Sequence, residues 1–325
     1  MARPHPVPPD PVTIALRPWR YMDRMYNTSV IAYNAQSRMP IRLRNYQGPA
    51  DLALQHNFWV SVTSGLPWCW KPTTSPRRYS QERQFDPRSR CFAFEGDRLI
   101  GYMSFTGEDD FISLEYPWVL PGYQGELQDE LYRRVYGFAA SSEYGGKKFA
   151  QRFRRPWTRQ IEFFRERGFA EQRSEPIYAL PVIHRRPADS IGAYSIEITP
   201  DFSFETFAPL SAGTLPPEQL RMFARYLETV DFDFALAATR RGEPAAYFGF
   251  TIRRDTGFAE LIASAVAPAE TEAISPALSA AVHELSLRHA RVLATKLLPG
   301  DPDGRVLVEL DFRKRTEEVF MFKEL

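Results

Sequence analysis

The sequence predicts an α/β (α+β) fold of two domains, each a mixed, mostly antiparallel sheet flanked by helices. Three observations predict it. A chain of 325 residues exceeds one typical domain and fits two. With 44% hydrophobic residues it has apolar surface enough for two sizeable cores. One order of elements (strand, helix, hairpin, strand, tight turn, helix, strand, helix, strand) is read in the first half and again, in outline, in the second. A period this long marks a duplicated domain rather than a solenoid. The expected divisions are an N-terminal extension over 1–38, a first domain over 39–180, a linker over 181–192 and a second domain over 193–325.

The N-terminal segment opens with a Pro-rich lead, MARPHPVPPDP, too poor in apolar residues to pack. Val12 to Trp19 could form a strand and Tyr21 to Ala35 a helix, inside or outside the domain, and Met39 is a conceivable alternative start. Ile41 to Tyr46 alternates apolar and polar side chains, the pattern of a half-buried strand. Gly48-Pro49 breaks it, and Asp51 is the expected N-cap of a helix through Ser61. A polar stretch over 64–90 carries Trp68 and Trp70 and suits a cover over a site or an interface. Arg90–Phe94 and Arg98–Phe105 form a hairpin about Glu95-Gly96-Asp97. Strand Phe111–Leu120 follows, then a helix from about Gly125 to Ala140, a strand over Lys147–Phe153, and a helix over Trp157–Arg167 stopped by Gly168. Phe169–Leu180 supplies the last strands of this half.

The second half is fainter. Glu197-Ile198 is a strand edge and Pro217–Glu228 a helix. Phe234–Thr239 and Ala246–Arg253 form a hairpin about Arg240–Glu243. Gly257–Pro268 is a strand, Pro276–His289 a helix, and Arg291–Leu297 a strand. Asp303–Leu310 is a short helix, and Arg313–Phe322 holds the closing strands.

Composition narrows the function classes. The net charge is +1, so nothing argues for nucleic acid or an anionic membrane as partner. Two cysteines, Cys69 and Cys91, are too few for a disulfide framework and fit a reducing compartment. No apolar run is long enough to span a bilayer, and the N-terminus has no apolar signal core. The expectation is a cytoplasmic protein with a small-molecule substrate; a homo-oligomer is compatible with it.

The stretch around which the rest is arranged is Ile112–Ala139, ISLEYPWVLPGYQGELQDELYRRVYGFA. It runs as strand, Pro121-Gly122 turn and amphipathic helix. Free N–H groups and the helix dipole at such a helix start favour a bound phosphate.

This order of elements resembles the GNAT acyltransferase superfamily, twice over, across roughly 40–180 and 193–325. The family's strand-to-helix signature is V-x-P-x-x-[Q/R]-x-x-G-x-[G/A]. Val119, Pro121 and Gln124 match it in the first half, Val266 and Pro268 in the second. Ile161–Phe169 resembles the family's Gly-Phe helix ending; Leu310 and Phe312 are what the second half keeps of it. The resemblance implies an acyl-CoA-dependent N-acyltransferase, of acetyl-CoA or another acyl-CoA, acting on a small amine without a metal. It implies that Trp118, Val119, Leu120, Gln124, Gly125, Glu126, Leu127, Gln128 and Asp129 hold the cofactor, with Glu115 as general base and Tyr123 or Tyr116 as acid.

The departures are as specific as the matches. Leu127 and Asp129 stand at the two small positions, and Glu126 and Asp129 bring carboxylates to where phosphates are expected. In the second loop Ile274 and Pro276 take those positions, and Ser275-Pro276 reads as an N-cap followed by Pro at the first helical position. Phe164 and Leu307 occupy the place of the family's tyrosine acid. A catalytically inactive relative that binds a ligand or a protein partner is therefore the alternative reading.

Each candidate has a plainer one beside it. Glu115 and Glu260 are bases or solvent-facing strand residues. Tyr116 and Tyr123 are acids or packing residues with a hydrogen-bonded tip. Lys147, Lys148, Arg152, Arg154 and Arg155 meet a nucleotide phosphate or form a solvated basic face. Trp68 and Trp70 line an acceptor pocket or pack a core. Glu108-Asp109-Asp110 reads as a solvated turn, and His283 and His289, six apart, do not share a helix face for a metal.

Overall fold

The structure is a computed structural model, and it describes residues 40–72, 86–107, 111–141, 147–183, 193–212 and 215–324. The N-terminal extension, the acidic turn at 108–110 and most of the 181–192 linker lie outside these residues.

In the first half the strands are β1 (Ile41–Asn45), β2 (Arg90–Glu95), β3 (Arg98–Gly107), β4 (Phe111–Leu114), β5 (Trp118–Val119), β6 (Lys148–Arg154) and β7 (Ala170–Pro181). The helices are α1 (Ala50–Thr63), α2 (Glu126–Ser141) and α3 (Thr158–Arg165). The second half holds β8 (Tyr194–Thr199), α4 (Phe204–Ser211), α5 (Pro217–Glu228), β9 (Phe234–Arg240), β10 (Glu243–Arg253), β11 (Phe258–Val266), α6 (Ile274–Leu287), β12 (Val292–Thr295), α7 (Arg305–Glu309) and β13 (Arg313–Lys323).

Several local departures from the sequence reading have physical causes. Asp51 lies inside α1, not at its cap, because its carboxylate takes the Arg44 guanidinium at 2.6 and 2.7 Å and the Gln47 N–H at 2.7 Å, closing the β1–α1 turn. The expected strand 111–120 is two pieces, interrupted before Trp118 where Pro117 has no N–H to give. Helix α4 was not anticipated; Ser203 caps it by accepting the Thr206 N–H at 3.2 Å. A 3₁₀ turn over Thr271–Ala273 runs into α6, so Ser275-Pro276 sit within the first turn rather than at cap and first position. Residues 170–181 and 313–323 are each one long strand where a pair was expected.

The strand order is β1-β2-β3-β4-β6-β13-β7-β12-β11-β10-β9-β8, with β5 beside β3. Two pairs are parallel, β4 with β6 and β11 with β12; the others are antiparallel. Both parallel pairs open each half at the same place, Phe111 opposite Lys148 and Phe258 opposite Val292. The two halves share one sheet. Strand β13, from the end of the chain, lies between β6 and β7 of the first half, while β7 pairs with β12 of the second. Each half thus lends a strand to the other, and Glu175 and Glu318 are register partners at the meeting point. Such reciprocal pairing is the arrangement of a two-fold interface built into one chain.

Both halves have cores that include aromatic side chains. The first half packs aromatics, among them Phe58, Trp59, Phe92, Tyr102, Phe149 and Phe164. The second packs Ala277, Leu278 and Ala281 of α6 in one cluster with Leu261, Leu293, Phe234, Phe248 and Phe250.

Because β13 completes the first half, a fragment of residues 39–180 is expected to stay unfolded by circular dichroism. The intact chain should melt in one calorimetric transition. A folded fragment, or two separated transitions, would contradict the shared sheet.

Candidate functional site

The site starts where β5 ends. Leu120 gives its N–H to Ile100 O at 2.9 Å, and Tyr123 N–H returns to Leu120 O at 3.1 Å, which closes the turn. Gly122 and Gly125 have φ of 89° and 86°, a backbone that L side chains resist, and space beside both is open. Helix α2 begins at once, so its first N–H groups face outward without intrahelical acceptors.

Two glutamines reach back into this turn. Gln124 Oε1 accepts the Gly122 N–H at 3.2 Å, and Gln128 Oε1 accepts the Gly125 N–H at 3.3 Å. The buried Gln128 amide also donates to Tyr116 Oη at 2.7 Å and to Pro117 O at 3.1 Å, tying the turn to the strand break beneath it. Trp118 and Val119 are buried below the turn, and Leu127 is buried in the core. Glu126 and Gln124 are exposed. The Asp129 carboxylate is engaged by the Arg167 guanidinium, which lies 3.5 Å above the Phe163 ring. One of the two carboxylates expected to repel a phosphate is therefore matched by a cation.

Beside the turn, β4 and β6 part company after Ser113 and Ala150. The Gln151 amide spans the gap, donating to Leu114 O and accepting the Arg152 N–H at 2.7 Å. Beyond it four indoles form a closed ring between the diverging strands. Trp118 lies 6.4 Å from Trp157, Trp157 stacks on Trp70 at 4.8 Å, and Trp59 is 6.4 Å from both Trp70 and Trp118. Tyr116 packs edge-on against Phe163 at 5.2 Å. Trp70 is thus a packing residue of this gap, and Trp68 turns the other way, onto Phe258 of the second half.

The expected acid–base residues have different settings. Tyr123 Oη donates to Glu95 Oε2 at 2.7 Å, out at the β2–β3 turn. Tyr116 instead stands at the strand break, where burial raises its pKa and the Gln128 hydrogen bond only partly offsets this. Glu115 Oε2 is buried beside it in sequence without a hydrogen-bond partner. Phe164 is fully buried against Phe169 and Phe153.

The second half's turn is shut. Glu270 is drawn aside by Tyr194 Oη at 2.6 Å and Arg240 at 3.3 Å. Ile274 is buried, and a Cβ on Gly300 would stand 2.7 Å from Thr271 Cγ2, so the chain after β12 presses on the start of the helix.

Of the basic residues in and after β6, Arg154 and Arg155 are engaged by carboxylates, and Lys148 lies over the Phe322 ring. Arg155 pairs with Glu171 at 2.6 Å and Glu317 at 3.0 Å. Arg154 is buried between Glu260 at 2.5 Å and Glu318 at 3.2 Å; Lys296 reaches Glu318 at 2.5 Å and Glu175 at 2.6 Å. Burial alone would raise the Glu318 carboxyl, but Arg152, Arg154 and Lys296 outweigh it and hold it at about 2. Glu260, read as a possible base, is a buried partner of Arg154 at the junction of the halves. Local sequence gave no sign of this cluster, since its members come from β6, β7, β11, β12's end and β13.

Among the described residues no group of three or more His, Cys, Asp or Glu could hold a metal, and no helix is long and apolar enough to cross a membrane. Cys69 and Cys91 are buried and unbridged, and burial pushes their thiols up to about 12 and about 11.

Removing one partner of the buried cluster leaves the others uncompensated. Glu318→Gln and Arg154→Leu are each expected to lower stability in urea by about 3–5 kcal/mol. Glu318 is ionised well below the ordinary carboxylate range in the folded chain. Its contribution is therefore complete above that range and is lost as pH falls toward 2. Glu318→Gln should flatten that part of the stability–pH curve; an unchanged slope would place the acid sensitivity elsewhere.

No family model and no curated protein matches the sequence. Solved structures do. A tandem GNAT protein from the clavulanic acid biosynthesis pathway, 16% identical, superposes with a TM-score of 0.60 over 88% of this chain and 98% of that one. A GCN5-related N-acetyltransferase from Sphaerobacter thermophilus, 13% identical, gives 0.52 over 88% and 96%. The GCN5-related glucosamine N-acetyltransferase region of a fungal GH3 β-N-acetylglucosaminidase, 12% identical, gives 0.57 over 90% of this chain and 39% of that one. The superposition on a tandem protein over 88% of this chain agrees with the doubled strand order, and the chain has the GNAT fold in its tandem form.

Proposed function

We propose that the protein is an acyl-CoA-dependent N-acyltransferase acting on a small amine, and that its first half is the half that binds acyl-CoA. The observation that supports this most is the contrast between the two turns. At Gly122 and Gly125 the backbone is left-handed, glycine-lined and open at a helix start; at Thr271–Ile274 the same place is packed shut.

The residues fit a pyrophosphate at the first turn. Gln124 and Gln128 give their oxygens to the Gly122 and Gly125 N–H groups over 3.2 and 3.3 Å, long contacts that a charged oxygen replaces with stronger ones. When bound, acyl-CoA would supply a thioester carbonyl for the amine to attack. Glu115, whose Oε2 has no other partner, is the group assigned to take the amine proton. Tyr116, kept protonated by burial, is better placed than Tyr123 to give a proton to the departing thiolate.

A second reading is favoured by the ring of Trp59, Trp70, Trp118 and Trp157 in the gap between the strands. A chain whose gap is permanently filled would be a non-catalytic member that binds a ligand or a protein partner.

Calorimetric titration with acetyl-CoA and with free CoA separates the two. Binding of both in the micromolar range at one site per chain, weakened by Gly125→Val and unaffected by Thr271→Ala, is the expected result. No heat from either ligand at millimolar concentration would exclude the acyltransferase reading and leave the second.

A further inference from the structure

We propose that Trp70 is the end wall of the acyl channel in the first half and confines the transferred group to acetyl. The inference rests on the acyl-CoA reading of the turn at Gly122–Gly125 and adds a specificity-determining residue to it.

The position of the ring carries the argument. The gap opens after Ser113 and Ala150, and beyond it Trp118 and Trp157 stand 6.4 Å apart. An acyl chain laid in it meets the Trp70 indole, which stacks on Trp157 with an interplanar angle of 25° and a centroid distance of 4.8 Å. On its other side the guanidinium groups of Arg152 and Arg154 lie 5.5 and 5.2 Å from the ring centre.

The wall is held, not hinged. Trp157 Nε1 donates to Pro67 O at 2.8 Å, and Arg154 Nε donates to Trp68 O at 3.1 Å. Lys71 is anchored on Asp233 Oδ2 and Asp231 O, both at 2.8 Å, in the second half. Between these anchors Trp68 takes φ of 59°, a left-handed conformation that its side chain disfavours. That conformation sends the Trp68 ring to Phe258 and the Trp70 ring into the gap. The backbone is bent so that one indole goes to each half, and the second half fixes the wall of a channel in the first.

An indole so placed acts by excluded volume. Each methylene group that finds apolar cover is worth about fourfold in affinity, and an acyl chain longer than acetyl finds the ring in its way.

The test is the affinity of free CoA, acetyl-CoA, butyryl-CoA and hexanoyl-CoA for the intact chain and for Trp70→Ala, by calorimetry. The expected result is that free CoA and acetyl-CoA bind both proteins within about twofold. The wild type should lose affinity from acetyl to hexanoyl, and Trp70→Ala should bind hexanoyl-CoA at least tenfold more tightly than the wild type does. If Trp70→Ala shows no cooperative melt, Trp70→Leu carries the test with the same order and a smaller gain. Free CoA bound by both proteins with an unchanged chain-length preference overturns the proposal and leaves the acyl-CoA reading standing. Free CoA bound by neither removes that reading, and the proposal with it.

Discussion

The structure depends on a strand that each half lacks and the other supplies. Without β13 the edges of β6 and β7 would face one another across an open gap, each with a row of unpaired N–H and C=O groups. With it they become the middle of one sheet. The charged cluster follows from that closure. Arg154 and Glu318 are register partners across β6 and β13, and Glu318 meets Glu175 across β13 and β7, so the pairing brings the two carboxylates together with Lys296 bridging them. A buried ionic group adds little net stability over an apolar one of its size, but it tolerates few other registers. Its place at the junction suits a role in fixing how the strands align.

The same closure shapes the site. The segment after α1 is pinned to the second half by Lys71 and to the first by Trp157 and Arg154, and this puts Trp70 between the diverging strands. Gln124, Gln128 and Gln151 then meet backbone groups that face the turn and the gap. At the first half's turn the Gly122 and Gly125 N–H groups are met by neutral amides over long contacts. The second half is satisfied by packing, with Thr271, Ile274 and Gly300 in contact. Neutral amides can be displaced by phosphate; an apolar seal cannot be displaced without opening the core.

Much of the fold was legible because its signals are local. Alternation in Ile41–Asn45, the Glu95-Gly96-Asp97 turn and the Pro121-Gly122 break each act over a few residues. The exchange was not legible, since Ala170–Pro181 and Arg313–Lys323 have the same alternation whichever strand they join. Helix α4 was hidden by Pro209 and an aromatic-rich start that read as coil. At the site, the turn was visible and the gap was not. Trp59, Trp70, Trp118 and Trp157 come from a helix, a loop, a strand end and the residue before a helix, and no spacing links them. Asp129 read as a repulsive charge because its partner, Arg167, is brought to it only by the packing of α3 on α2.

Strand exchange also has a consequence in time. A ribosome releases β6 and β7 long before it releases β13, and at roughly 5–20 residues per second the interval is on the order of ten seconds. During it the nascent first half carries two exposed strand edges and half of a charge cluster. The full chain then closes both halves in one late event, with contacts far apart in sequence. The strand that closes the first half is thus made after the whole of the second, so the first half gains its folded stability late and not when its own stretch of sequence has been made.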